Sequence, residues 1–236
     1  MSDGAALLAV DDLHAWYGES HILHGMSFAV NRGELVTLLG RNGSGRTTTF
    51  KAILGLTDRR RGAVRLEGRE LTGRAPHRIA RLGVGYCPEE RGIFASLSAE
   101  ENLLLPPQVG SGGMSVQEIY AMFPNLYARR HGQGSRLSGG EQQMLAMARI
   151  LRTGAQVLLL DEITEGLAPV IVKLLGEAIR KLKDKGFTIV LADQNFRFAA
   201  PLADRHYVVE RGRVVQTVAS GELHSRMGML HEYLGV

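Results

Sequence analysis

Short apolar runs alternate with longer amphipathic stretches along most of this chain. Leu35-Val36-Thr37-Leu38-Leu39, Val157-Leu158-Leu159-Leu160 and Thr188 to Ala192 are almost continuously apolar over strand length, as expected of strands buried on both faces. Val84-Gly85-Tyr86-Cys87 predicts a further core strand. Leu7 to Leu13 and Ile22 to Val30 predict two earlier strands, with Trp16-Tyr17-Gly18 between them. Ala63-Val64-Arg65-Leu66-Glu67 alternates apolar and charged residues like a half-exposed strand, and Gly68-Arg69-Glu70 closes it into a hairpin. Val208-Val209 and Val214-Val215 flank a second hairpin turn, Glu210-Arg211-Gly212-Arg213. Helical spacing takes over elsewhere. Thr48 to Leu54 opens a helix, and Pro76 to Leu82 is a short one with proline at an allowed first-turn position. Met144, Met147, Ala148 and Leu151 mark a helix over Gly139 to Leu151. Val170 to Leu182 carries apolar Val170, Ile171, Leu174, Leu175, Ala178, Ile179 and Leu182, with a Glu177–Lys181 i,i+4 pair on its other side. Gly221 to Leu234 predicts a helical tail.

Strands alternating with helices predict an α/β fold: a mostly parallel sheet with helices on both faces. From Ser96 to about Arg136 the composition changes. Helix-like Ala99 to Leu105 and Ser115 to Phe123 surround flexible Gly110-Ser111-Gly112-Gly113, which reads as a small inserted helical subdomain. The length, 236 residues, suits one large domain, and 44% hydrophobic with 22% charged residues is ordinary for a globular protein. A net charge of +4 suits an anionic partner without choosing among nucleotide, nucleic acid and membrane surface. The densest basic cluster, Arg59-Arg60-Arg61, reads as a solvated turn before a hairpin. A single cysteine, Cys87, allows no disulfide within the chain and fits a reducing compartment. No secretory signal pattern opens the chain, and no apolar run approaches the roughly 20 residues that span a bilayer.

The chemistry begins at Gly40-Arg41-Asn42-Gly43-Ser44-Gly45-Arg46-Thr47, followed by Thr48. This is the G-x-x-x-x-G-K-[ST] phosphate loop, placed between a strand and a helix, with arginine at the lysine position. Its glycines let backbone N–H groups face phosphate oxygens, and the helix N-terminus adds a favourable dipole. Thr47 offers a hydroxyl to Mg²⁺. Asp161-Glu162 closes an apolar strand, placing two carboxylates where parallel sheets bind ligands. Asp161 suits Mg²⁺, and Glu162 suits polarising an attacking water. Leu137-Ser138-Gly139-Gly140-Glu141-Gln142-Gln143 contains a capping box, Ser138 with Glu141, but the two glycines cost helix stability and suit a close backbone–ligand approach.

Leu137 to Gln143 resembles the signature motif of ABC-transporter ATPases. The order of phosphate loop, helical insertion, signature and Asp-Glu strand matches that family over nearly the whole chain. The resemblance implies a single ABC ATPase domain over 1–236: a nucleotide-binding core of 1–95 and 156–236, with a helical subdomain of 96–155 carrying the signature. It implies a P-loop core with a mostly parallel sheet and an N-terminal antiparallel β part. It implies ATP and Mg²⁺, bound by Tyr17 stacking on adenine, by Gly40 to Thr48 on the phosphates, and by Thr47, Asp161 and Glu89 on the metal. Glu162 and Gln194 become the catalytic pair, with Gln194 at the switch position. Leu137, Ser138, Gly139, Gly140 and Glu141 then serve the ATP of an opposing subunit, and Thr164-Glu165-Gly166-Leu167 lies at the dimer seam.

Tyr17 to Gly25, Pro76 to Ala80, Pro88-Glu89-Glu90-Arg91 and Gly166-Leu167-Ala168-Pro169 resemble, more narrowly, the ATPase subunits of branched-chain amino acid importers. Glutamate at Glu89 and glutamine at Gln194 fit one of the two ATPase subunits of those importers. The resemblance implies membrane permease subunits, a second ATPase subunit in a hetero- or homodimer, and, indirectly, a periplasmic solute-binding protein. It implies a peripheral position on the cytoplasmic face of the inner or plasma membrane, and no nucleic-acid partner. Three departures stand out: Arg46 for lysine, Ile163 for proline, and Asp193 for glutamate. Three alternatives stand beside the importer ATPase: a regulatory nucleotide-binding half with weak hydrolysis because of Arg46, the ATPase of a urea or amide importer, and a DNA-repair ATPase, which can share the signature motif but carries a long coiled-coil insertion that is not seen here between the phosphate loop and the signature.

Overall fold

The computed structural model describes residues 6–234. The expected domain limits at residues 1 and 236 lie outside them. The chain opens with an antiparallel sheet of four strands, β1 (Leu8–Tyr17), β2 (Ser20–Val30), β4 (Arg59–Leu66) and β5 (Arg69–Glu70), ordered β2-β1-β4-β5. β1 runs on through Trp16 and Tyr17, which the alternation pattern leaves between strands; Gly18, at φ 53°, and Glu19 turn the chain. A second sheet of six strands adds β3 (Leu35–Leu39), β6 (Val84–Cys87), β7 (Val157–Asp161), β8 (Thr188–Ala192), β9 (Arg205–Glu210) and β10 (Arg213–Ala219). Its order is β10-β9-β3-β8-β7-β6, parallel throughout except for β10 at one edge. β3, β7 and β8 are buried along their whole length, which is why they read as unbroken apolar runs.

The phosphate-loop strand β3 and the Asp-Glu strand β7 are not neighbours. β8 lies between them and pairs with both. The carboxyl ends of all three strands therefore open onto one edge, where such sheets bind ligands.

Helices cover both faces. α1 (Arg46–Leu54) and α2 (Pro76–Ala80) precede β6; α3 (Ala99–Leu104), α4 (Val116–Met122) and α5 (Pro124–Ala128) form the expected helical insertion. α6 (Gly139–Arg152), α7 (Pro169–Asp184) and α8 (Phe196–Ala199) follow, and α9 (Met227–Leu234) ends the described chain after two 3-10 turns. Alternate residues of the parallel sheet feed two cores. Leu35, Leu39, Leu158 and Leu160 pack with α6, α7 and the helical insertion. Val36, Leu38, Val157 and Leu159 pack with α1 and the antiparallel sheet. Ile163, in place of proline, is fully buried in the first of these cores. Val170 and Leu174, read as part of an apolar face, are exposed at the start of α7. Among the described residues no helix is long and apolar enough to cross a membrane.

The Arg59–Arg61 cluster is strand, not solvated turn. Arg60 is half-buried, and its guanidinium donates to the carbonyls of Ala52 and Ile53 at the end of α1 and of Leu71 and Arg74. A cation on helix-terminal carbonyls is favourable enough to draw an arginine out of solvent.

Candidate functional site

The phosphate loop is held from behind by the β9–β10 turn. Arg211 and Gly212 both have positive φ, 48° and 72°, as a two-residue hairpin turn of this hand requires. Gly212 donates its N–H to the Ser44 carbonyl at 2.8 Å and accepts from His24 N–H at 2.9 Å. A Cβ on Gly212 would lie 2.0 Å from the Ile22 carbonyl oxygen, so only glycine permits this approach. At the loop itself Gly45 has φ 108° and leads straight into α1, whose N-terminus no side chain caps. The Thr49 N–H and hydroxyl both donate to the Gly45 carbonyl at 2.8 Å, pinning the loop to the helix.

Asp161 and Glu162 leave β7 in different environments. Asp161 is wholly buried; it accepts from the Thr47 hydroxyl at 3.0 Å and from the Tyr86 hydroxyl at 3.0 Å. Burial pushes its pKa up to about 6, with the Tyr86 and Thr47 hydrogen bonds opposing. Glu162 adopts φ 48°, rare for a residue with a side chain, and its N–H donates to the Ala192 carbonyl at 2.7 Å. Its carboxylate receives one arm of the Arg46 guanidinium in a buried ion pair. The same arm reaches Asn42 Oδ1 at 3.5 Å, while the other nitrogen, Nη1, is buried without a hydrogen-bond partner. At the end of β8, Asp193 accepts from the Thr164 hydroxyl at 2.8 Å and from Asn195 N–H at 2.8 Å. Burial raises its pKa to about 6 as well.

These groups border one open cleft of about 430 Å³. It is lined by Tyr17, Arg41 to Thr48, Glu89, Glu162 and Gln194, together with Ile22 and Glu165. Asp161 stands behind the cleft wall and reaches it through Thr47. Glu89 is exposed at the mouth; partial burial and the carboxylates of Glu165, Glu162 and Glu90 raise its pKa. The signature residues Leu137, Ser138, Gly139, Gly140 and Glu141 do not line the cleft. Ser138 is exposed and caps α6 by accepting from Glu141 N–H at 3.3 Å, while the Glu141 carboxylate accepts from Ser138 N–H at 2.8 Å. Gly140 is buried against Ile171, whose Cγ2 a Cβ would meet at 2.8 Å. Tyr86 escaped the sequence reading because it sits in a short apolar strand with no local polar pattern. Its tie to Asp161 arises only from the pairing of β6 with β7.

The residues fit a nucleotide. An uncapped helix N-terminus, a buried guanidinium nitrogen without a partner and the buried, unpartnered Ser44 hydroxyl all converge on the phosphate loop. They fit Mg²⁺ too. Among the described residues no three His, Cys, Asp or Glu side chains form a metal cage. Mg²⁺ characteristically takes one or two carboxylates and completes its shell with phosphate and water oxygens.

A phosphate loop on β3, an acidic pair on β7 and a helical insertion bearing the signature define an ABC transporter ATPase. The family model for ABC transporters matches residues 23–165, and the chain belongs to that family. It is 37% identical over 97% of its length to a high-affinity branched-chain amino acid transport ATP-binding protein, BraG, of Pseudomonas aeruginosa, all of which is covered. It is 37% identical over 92% of its length to a probable branched-chain amino acid transport ATP-binding protein, LivF, of Archaeoglobus fulgidus, covering 94% of that chain. It is also 31% identical over 98% to the lipopolysaccharide export ATP-binding protein LptB of Escherichia coli, covering 98% of it. Among solved structures, an ATP-binding subunit of an ABC transporter superposes with a TM-score of 0.80 at 28% identity, covering 98% of this chain and 100% of that one.

Proposed function

We propose that this chain binds and hydrolyses Mg·ATP to power a membrane importer of branched-chain amino acids. The observation that carries the reading is the cleft itself, which gathers Tyr17, the phosphate loop, Glu162, Glu89 and Gln194 at the carboxyl ends of β3, β7 and β8. The solute class is supported by the full-length likeness to BraG and LivF. Tyr17 offers a ring for adenine, Arg41 to Thr48 offer N–H groups and hydroxyls for phosphate while Gly40 lies outside the cleft lining, and Arg46 replaces the lysine as the cation. Thr47, Asp161 and Glu89 would hold Mg²⁺, which neutralises phosphate charge when bound. Glu162 orients the attacking water, and Gln194 donates a hydrogen bond toward the terminal phosphate. Catalysis is then mainly positioning and charge neutralisation, as in other P-loop enzymes.

Ser138, Gly139 and Gly140 lie outside the lining of their own cleft and serve that of a second ATPase subunit. The pair sits on membrane permease subunits at the cytoplasmic face, with a periplasmic binding protein supplying solute. The test uses the assembled transporter in vesicles: Glu162→Gln abolishes ATP turnover and radiolabelled leucine uptake while ATP stays bound. Wild-type turnover in that variant removes Glu162 from the role given to it, and uptake of a different solute by the wild type overturns the substrate class.

A further inference from the structure

Arginine at position 46 has a consequence that lysine would not. A guanidinium is a rigid fork with separate donor ends, whereas an ammonium is a single point charge on a flexible stem. Arg46 is 4% exposed, and its two ends meet different surroundings. One is paired to Glu162, itself 8% exposed, and the other, Nη1, is buried without a partner beside the phosphate loop. Both side chains line the cleft. The Glu162 backbone is held by its N–H bond to Ala192, so its carboxylate is the part free to move. That carboxylate lies among the acidic groups of Glu89, Asp161 and Asp193, and the Arg46 cation is the charge paired to it.

We propose that Arg46 is a positioning residue that latches the hydrolytic carboxylate in the resting chain. With no nucleotide, the guanidinium holds Glu162 turned toward the loop and away from a water-activating pose. Nη1 is the arm that meets a terminal phosphate oxygen. A phosphate bearing two negative charges competes with a single carboxylate for the same cation, draws the fork toward itself and frees Glu162. Glu162 is thus released only when the cleft holds the triphosphate. The inference rests on the ATPase reading and adds to it a control that the lysine pattern lacks.

The full chain is tested at concentrations where light scattering reports a monomer, with a non-hydrolysable ATP analogue and Mg²⁺. Affinity is measured for wild type, Glu162→Gln, Arg46→Lys and the double variant. If the latch occupies about nine-tenths of the resting chains, Glu162→Gln tightens analogue binding about tenfold when Arg46 is present. In the Arg46→Lys background the same change has less than about a twofold effect, and this non-additivity is the signature of the pair. The thermal midpoints of the four proteins couple without nucleotide and lose that coupling with saturating analogue. Unchanged affinity in Glu162→Gln overturns the latch, even if Arg46→Lys fails to fold. So does coupling of equal size in both states, which marks a purely structural ion pair. Absence of analogue binding in every folded variant overturns the ATPase reading itself.

Discussion

Asp161 shows how burial and chemistry pull one side chain in opposite directions. Its carboxylate is fully buried, and burial raises its pKa to about 6, above the roughly 3.9 of an unfolded chain. Folded protein therefore binds the extra proton more tightly than unfolded protein does. The resulting stability is complete below about pH 4 and is lost as pH rises through about 6. Asp161→Asn should flatten that decline by up to about one proton's worth of slope, roughly 1.4 kcal/mol per pH unit, in urea unfolding at pH 4.5 and 6. The charged form is the one that would serve Mg²⁺. Mg²⁺-dependent nucleotide binding by the wild type should accordingly weaken as pH falls through about 6, measured by titration with a fluorescent nucleotide. Arg46 shows the complementary case, a buried cation with one end paired to a carboxylate and the other, Nη1, buried without a hydrogen-bond partner.

At the scale of elements, the site depends on a turn that carries none of its chemistry. The Arg211-Gly212 hairpin supports the phosphate loop through the Gly212–Ser44 hydrogen bond. Gly212→Ala places a Cβ 2.0 Å from a backbone oxygen at a φ of 72°. It should cost about 2–4 kcal/mol of stability. It should also weaken nucleotide binding, read by thermal melts with and without nucleotide. Asp193 plays a comparable linking part. It ties Thr164, in the segment after β7, to Asn195 beside Gln194, so hydrogen bonds through one carboxylate link the two loops at the cleft edge.

At the scale of the molecule, the cleft and the signature lie apart. The cleft is lined from the phosphate loop, Glu89, Glu162, Glu165 and Gln194, while Ser138 sits exposed at the start of α6. Under the two-subunit reading, Ser138→Ala leaves the isolated chain's nucleotide affinity within about twofold but removes ATPase activity from the assembled pair. Equilibrium binding on the isolated chain and turnover in the complex check the two halves separately. A large loss of affinity in the isolated chain would place the signature in its own cleft.

What the sequence determined alone was whatever depends on neighbours along the chain. Buried parallel strands must be apolar throughout, so β3, β7 and β8 were legible as runs. The phosphate loop and the capping box at Ser138 are spacing motifs, legible because their hydrogen bonds span only a few residues. Only the tertiary structure decided what depends on residues distant in the chain. It inserted β8 between the two motif strands, turned Arg60 onto the end of α1, brought Tyr86 to Asp161 and closed Arg46 onto Glu162. Arg46 and Glu162 are 116 residues apart. No local pattern encodes such a pairing, because strand order and the reach of a buried guanidinium set it together.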